Sequence, residues 1–64
     1  MTVNGNLILL EKPMTVSEYL EQKNYNPKRV AIELNQEILP KSKYQTTMLT
    51  EADTLEIVTF VGGG

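Results

Sequence analysis

The sequence predicts an α+β fold in which a mixed sheet of four to five strands packs on one helix. Three observations lead to this prediction: an Asn4-Gly5 dipeptide stands between two apolar runs, Thr15 and Glu18 mark a helix start, and residues 54–60 resemble a strand. The chain has 64 residues and no cysteine. Domains of this size bury only about 60% of the surface that the unfolded chain exposes. Aliphatic packing without disulfides must therefore form the core.

The opening residues are expected to form a β-hairpin. Asn-Gly is the strongest short hairpin signal, because a type I′ turn needs positive φ at both central residues. Pairing across this turn sets Val3 opposite Asn6 and Thr2 opposite Leu7, with the second strand continuing over residues 6–10. The side chains expected on the core face are those of Met1, Val3, Ile8 and Leu10.

One short helix follows the hairpin. Thr15 is the predicted N-cap, and Glu18 lies three residues later, which completes a capping box. Asn24 can adopt the left-handed conformation that ends a helix, with Tyr25 folding back onto it. The apolar face of the helix is expected to consist of Val16, Tyr19 and Leu20.

The remaining residues predict three further strands. Residues 30–34 alternate as a half-buried strand does, Asn35-Gln36 forms a turn, and residues 37–39 and 54–60 complete the set. Segment 40–47 is expected to be a polar loop with one helical turn anchored by Tyr44, after which Met48 and Leu49 return to the core. Apolar residues on both faces of the last strand indicate a central strand covered on two sides. The order of elements is that of a β-grasp fold, with the first and last strands parallel at the sheet centre.

Composition excludes several classes of function. The net charge is −2 and no basic run is present, which argues against nucleic-acid binding. Histidine and cysteine are both absent, so no metal site is expected. No signal peptide or membrane-length apolar segment is visible. We therefore expect a cytoplasmic protein without a membrane span, monomeric when free.

The chain ends in Gly62-Gly63-Gly64 directly after the last strand. Glycine has no Cβ, so such a segment can pass through gaps that exclude side chains. We expect a β-grasp domain over residues 1–60 and a flexible tail over residues 61–64 that presents the Gly64 carboxylate. No catalytic residue is expected in the domain, which makes the chain a substrate or carrier and not an enzyme.

In element order, size and terminal Gly63-Gly64, the chain resembles the ubiquitin-like sulfur carrier proteins, and within them the ThiS family of thiamine (thiazole) biosynthesis. The resemblance covers the whole chain. Its specific blocks are residues 1–5, residues 15–16 together with Leu20, and residues 30–35, 38–41 and 55–64. Ala52 stands where the family usually has glycine, which suggests a turn that manages without positive φ.

This resemblance implies that an adenylyltransferase (ThiF-like) uses ATP and Mg to adenylate Gly64. Sulfur from a sulfurtransferase or cysteine desulfurase then converts the adenylate to a thiocarboxylate, which donates sulfur to thiazole synthase (ThiG-like). Gly62 and Gly63 thread the tail into the enzyme. No cofactor is bound, since the sulfur is carried covalently. The alternatives are a sulfur carrier for molybdopterin synthesis, a ubiquitin-like protein modifier, and a structural β-grasp interaction module whose tail has no function.

Side chains near the tail are candidates for contact with partner enzymes. Val58 and Phe60 fit an interface and a core position equally well, whereas Val61 lies past the strand and favours an interface. Lys41 and Lys43 are expected to lie on a solvated loop face, the alternative being contact with an acidic patch on a partner.

Overall fold

The structure, a computed structural model, describes residues 1–60. Over this range the strands are β1 (Thr2–Val3), β2 (Asn6–Leu7), β3 (Met14–Thr15), β4 (Val30–Leu34), β5 (Glu37–Leu39), β6 (Met48–Leu49) and β7 (Thr54–Thr59). The α-helix α1 spans Val16–Gln22, and two 3-10 turns span Pro27–Arg29 and Lys41–Lys43.

Five of the strands form one mixed sheet in the order β2-β1-β7-β4-β5. Strand β1 is parallel to β7, and the other neighbours are antiparallel. One helix packs on this sheet, so the β-grasp prediction is confirmed, including the parallel pairing of the first and last strands at the centre. Four to five strands were expected, and the sheet has five.

A second, two-stranded sheet joins β3 to β6 and was not predicted. It pairs Met14 with Leu49 and Thr15 with Met48. Strands of two residues cannot show an alternating pattern, and this pairing joins segments far apart in the sequence. The expected burial is confirmed for Leu49, which is fully buried, and wrong for Met48, which is 50% exposed.

The N-terminal hairpin has the predicted turn and register. Asn4 and Gly5 have φ values of 51° and 83°, and β1 pairs with β2 as expected. The second strand is shorter than predicted because it ends at Leu7. Leu10 returns to the core, but its N–H donates to the carboxylate of Glu51 at 2.7 Å instead of to a strand.

Both ends of α1 are closed by the predicted caps. Thr15 Oγ1 accepts the Glu18 N–H at 3.1 Å, and Glu18 Oε1 accepts the Thr15 N–H at 2.8 Å. At the other end Asn24 has a φ of 63°, and the Tyr25 N–H donates to the Leu20 carbonyl at 2.8 Å. This bond belongs to a Schellman motif, which satisfies carbonyls that the helix leaves unpaired.

Among residues 1–60, thirteen buried apolar side chains form one hydrophobic core. Those with the largest fully buried side chains are Val16, Leu20, Val30, Ile32, Leu49 and Leu55. Tyr44 is buried as the predicted anchor of the loop, and its carbonyl accepts the Ser17 N–H at 2.8 Å. The turn before β7 contains no positive φ at Ala52, as suggested from the sequence.

Strand β7 is covered on one face and not on two as predicted. Leu55 and Ile57 are buried against the helix side, whereas Val58 is 57% exposed on the opposite face. The apolar character of both faces therefore does not reflect burial on both sides. The apolar side chains on the uncovered face of β7 lie on an open sheet surface.

An ion pair joins the Met1 ammonium to Glu51 at 2.8 Å. That ammonium and the Leu10 N–H both donate to the carboxylate, and these bonds hold the pKa of Glu51 below its usual value. Because the pKa is lower in the folded state, the stabilisation is present above the ordinary glutamate pKa, about 4.3. It is lost as pH falls through the folded-state pKa.

We expect Glu51→Gln to lower the melting temperature at neutral pH and to have much less effect in acid, where the wild-type carboxylate is protonated as well. Thermal melts across the acidic range measure this difference. Glu11→Gln removes an exposed carboxylate without these contacts and serves as the control. If Glu51→Gln lowers the melting temperature equally at neutral and at acidic pH, the ion pair is not the cause of the lower melting temperature.

Candidate functional site

The candidate site begins where the chain leaves the central strand at Phe60. Of the site residues predicted from the sequence, Val58 and Phe60 lie within the described part of the chain. Val61, Gly62, Gly63 and Gly64 lie outside the described residues. The structure therefore defines the base from which the predicted tail starts.

On one side, the end of β7 is held by β4 up to its last residue. Val30 is opposite Thr59 in the antiparallel register. The pairing extends one residue further, because the Phe60 N–H donates to the Arg29 carbonyl at 2.8 Å. These bonds fix the position and direction in which the chain leaves the sheet.

On its other side, β7 is hydrogen-bonded to the side chain of Asn4, which occupies the position that a neighbouring strand would have. Strand β1 ends at Val3, and beyond it the amide of Asn4 takes over the pairing. Asn4 Oδ1 accepts the Ile57 N–H at 2.8 Å, and Asn4 Nδ2 donates to the Ile57 carbonyl at 3.3 Å. The Asn4 N–H also donates to the Leu55 carbonyl at 2.9 Å. From the sequence, Asn4 is expected only in the turn, because nothing local signals a partner 53 residues away.

We expect Asn4→Gly to cost about 1–3 kcal/mol of stability, because it leaves the partly buried N–H and C=O of Ile57 unpaired. Glycine tolerates positive φ as well as asparagine does, so the turn itself is preserved. Asn4→Asp keeps the acceptor oxygen and loses the donor, and we expect an intermediate cost. Urea denaturation measures both variants. A glycine variant as stable as the wild type would show that the amide does not support β7.

The sheet surface that faces away from α1 is open, and we call it the outer face. Its central cross-strand pairs set Ala31 beside Val58 and Glu33 between Glu56 and Ile38. Val58 is 57% exposed and Ile38 73% exposed.

Phe60 continues the outer-face row of β7, because residues two apart along a strand share a face. It is 55% exposed. The core alternative for Val58 and Phe60 is thus wrong, and their contact with partner enzymes stays a prediction.

The described part of the chain contains little that could carry out chemistry. Residues 1–60 hold no group of three or more side chains able to bind a metal ion. Burial raises the pKa of the Tyr44 hydroxyl, and burial together with the nearby Tyr25 raises that of Tyr19. Both phenols are therefore protonated at neutral pH and are poor general bases. The helix in this range has seven residues, too few to cross a membrane.

A β-grasp domain whose central strand leads directly into a glycine-rich end defines a ubiquitin-like class of protein. Within that class, the chain belongs to the ThiS family, whose family model matches residues 1–64. The resemblance derived from the sequence is confirmed by this match.

Individual relatives agree with the family assignment. The chain is 35% identical to the sulfur carrier protein ThiS of Bacillus subtilis over 65 residues, covering 100% of this chain and 98% of that protein. A crystal structure of thiamine biosynthesis protein ThiS from Geobacter metallireducens superimposes with a TM-score of 0.81 and 32% identity, covering 98% of this chain and 96% of that one. A thiazole synthase of Paramagnetospirillum magneticum is 39% identical over 64 residues, which are 100% of this chain and 20% of that protein.

Proposed function

We propose that this chain is a sulfur carrier of thiamine biosynthesis, in which the Gly64 carboxylate becomes a thiocarboxylate that supplies sulfur for the thiazole ring. The observation that carries the proposal is the match to the ThiS family over the full length of the chain, including its terminal glycines. In this account residues 1–60 form the domain that partner enzymes recognise. Residues 61–64 form the tail that enters them.

Activation is needed because a carboxylate is a poor acyl electrophile, its negative charge being shared between two oxygens. One carboxylate oxygen of Gly64 attacks the α-phosphorus of ATP, and pyrophosphate leaves. The resulting acyl adenylate has no charge on the acyl group and carries AMP as a good leaving group. The terminal sulfur of an enzyme persulfide then attacks the carbonyl carbon and displaces AMP. A thiol cleaves the S–S bond, which gives a disulfide on the donor side and the thiocarboxylate on Gly64.

The domain contributes binding and position. Contacts remote from the reacting atoms can orient the carboxylate against ATP, which removes much of the entropic cost of bringing two reactants together. Two hydrogen bonds support this role, because they fix the base of the tail. The Ile57 N–H donates to Asn4 Oδ1, and the Phe60 N–H donates to the Arg29 carbonyl. Glycine at positions 63 and 64 leaves the carbonyl carbon open to the incoming sulfur. The domain acts as a carrier and leaves catalysis to its partners.

Three partner enzymes follow from this chemistry. A ThiF-like adenylyltransferase uses ATP and Mg, a sulfurtransferase or cysteine desulfurase supplies the persulfide, and a ThiG-like thiazole synthase accepts the sulfur. The similarity of this chain to a fifth of the Paramagnetospirillum thiazole synthase supports the last partnership. The requirement for ATP favours the cytoplasm.

Intact mass spectrometry tests this proposal directly. After incubation with ATP, Mg, the cognate adenylyltransferase and a persulfide donor, we expect the chain to gain the mass difference between sulfur and oxygen. The change should be confined to the C-terminal peptide and should depend on ATP. A change located in any other peptide, or one that appears without ATP, would contradict the proposal.

A further inference from the structure

The cations of this chain are concentrated in one place. Four of its six lysines and arginines lie in the two 3-10 turns. We call these four residues the basic end, and they are Lys28, Arg29, Lys41 and Lys43. The other two cations, Lys12 and Lys23, line a separate groove of about 380 Å³ beside α1.

The two turns of the basic end lie next to each other and next to the start of the tail. Lys41 Nζ donates to the Lys28 carbonyl at 3.1 Å, and both side chains line a hollow of about 400 Å³ above Tyr44. The Arg29 carbonyl accepts the Phe60 N–H at 2.8 Å. The chain therefore leaves the sheet beside the basic end.

Within residues 1–60, no carboxylate forms an ion pair with Lys28, Lys41 or Lys43. These side chains are exposed on a chain whose net charge is −2, so a general excess of positive charge does not explain their concentration. On the outer face, by contrast, Glu33 lies directly opposite Glu56. Lys28, Lys41 and Lys43 thus place exposed positive charge at the base of the tail, apart from the two glutamates of the outer face.

We propose that the basic end docks on an acidic protein surface around the entrance through which the adenylyltransferase admits the tail. This inference rests on the proposed function and adds the chemistry of the partner surface. It assigns Lys41 and Lys43 to contact with a partner, which is the alternative to the solvated loop face expected from the sequence.

The alternative anionic occupant, the phosphates of ATP, fits the chain less well. The basic end lies at the base of the tail, whereas the reacting carboxylate lies at its far end. Four extended residues span up to about 14 Å, so a tail extended into the enzyme separates the basic end from the nucleotide. An acidic protein surface at the entrance would meet the basic end directly.

Charges at the rim of an interface act mainly on the rate of encounter. Complementary potentials accelerate association by about 10- to 1,000-fold, and salt weakens the effect. The positive charge of the basic end is expected to orient the domain during encounter, so that the tail approaches the entrance first. The contribution of the basic end to the association rate should therefore decline as ionic strength rises.

Two charge-reversal variants with the same net charge separate this role from a general electrostatic effect. K28E/K41E alters the basic end, and K12E/K23E alters the two cations outside it. Association with the adenylyltransferase is measured by stopped-flow fluorescence at low and high salt, and adenylation by pyrophosphate release. We expect K28E/K41E to slow association by at least about tenfold at low salt, with the difference shrinking at high salt. K12E/K23E should stay within about twofold of the wild type.

Thermal melts check that both variants are folded. K43E leaves the bond from Lys41 to the Lys28 carbonyl intact, so its slower association would exclude local unfolding as the cause. Equal slowing by the two double variants, or no slowing by K28E/K41E, would overturn the inference. If the wild type binds but is not adenylated, the proposed function fails, while the association rates still decide the role of the basic end.

Discussion

Removing Gly63 and Gly64 is expected to abolish adenylation and thiocarboxylate formation while leaving the domain folded. The buried core of the described structure is built from residues 1–57, so the domain does not need the terminal pair for its packing. The truncated chain should have a circular dichroism spectrum and melting temperature close to those of the wild type. Pyrophosphate release with the adenylyltransferase should fall to background.

Side-chain variants of the terminal pair test whether glycine itself is needed. Gly64→Val keeps a terminal carboxylate but places a branched side chain beside the carbonyl carbon that sulfur must reach. We expect it to lose thiocarboxylate formation almost completely. Gly62→Ala lies two residues from the carboxylate and adds one methyl group, so we expect only a modest loss. Full activity of Gly64→Val would contradict the account of why the chain ends in glycine.

Placing charge on the outer face is expected to disrupt partner binding with little effect on stability. Val58 and Phe60 are 57% and 55% exposed, so Val58→Asp/Phe60→Asp removes no core packing. Apolar side chains that anchor an interface often contribute at least about 2 kcal/mol each, or roughly 30-fold in affinity. We expect the double variant to lower affinity for the adenylyltransferase by at least that factor. Isothermal titration calorimetry measures it.

The matched control replaces two exposed residues away from the outer face. Gln22 is exposed at the end of α1, on the opposite side of the sheet, and Met48 is 50% exposed in the small second sheet. Gln22→Asp/Met48→Asp adds the same charge and should bind within about threefold of the wild type, as expected for residues outside an energetically important contact. If both double variants weaken binding equally, added negative charge and not the outer face is responsible.

Most of the fold could be predicted because short segments of the sequence determine it. The turn at Asn4-Gly5, the capping box of Thr15 and Glu18, and the left-handed Asn24 each depend on residues a few positions apart. The buried side chains of α1 and β4 follow from simple periodicity. Together with the order of elements, these signals specify a β-grasp domain.

The features that were missed depend on residues distant in the chain. The pairing of β3 with β6 and the second role of Asn4 arise only when the complete sheet has formed. The exposure of Val58 was ambiguous because an apolar residue in a central strand has the same sequence pattern whether or not another layer covers it. The tail over residues 61–64 and the roles of Gly62, Gly63, Gly64 and Val61 stay predictions from the sequence and the family.

We expect the Gly64 carboxyl group to carry the sulfur that enters the thiazole ring. The most direct test is a single-turnover reaction in which the purified thiocarboxylate, labelled with a sulfur isotope, is given to thiazole synthase and its other substrates. Labelled thiazole should form in proportion to the carrier consumed, and the carrier should be recovered as its carboxylate. Unlabelled thiazole, or equal thiazole formation with a chain lacking Gly63 and Gly64, would contradict it.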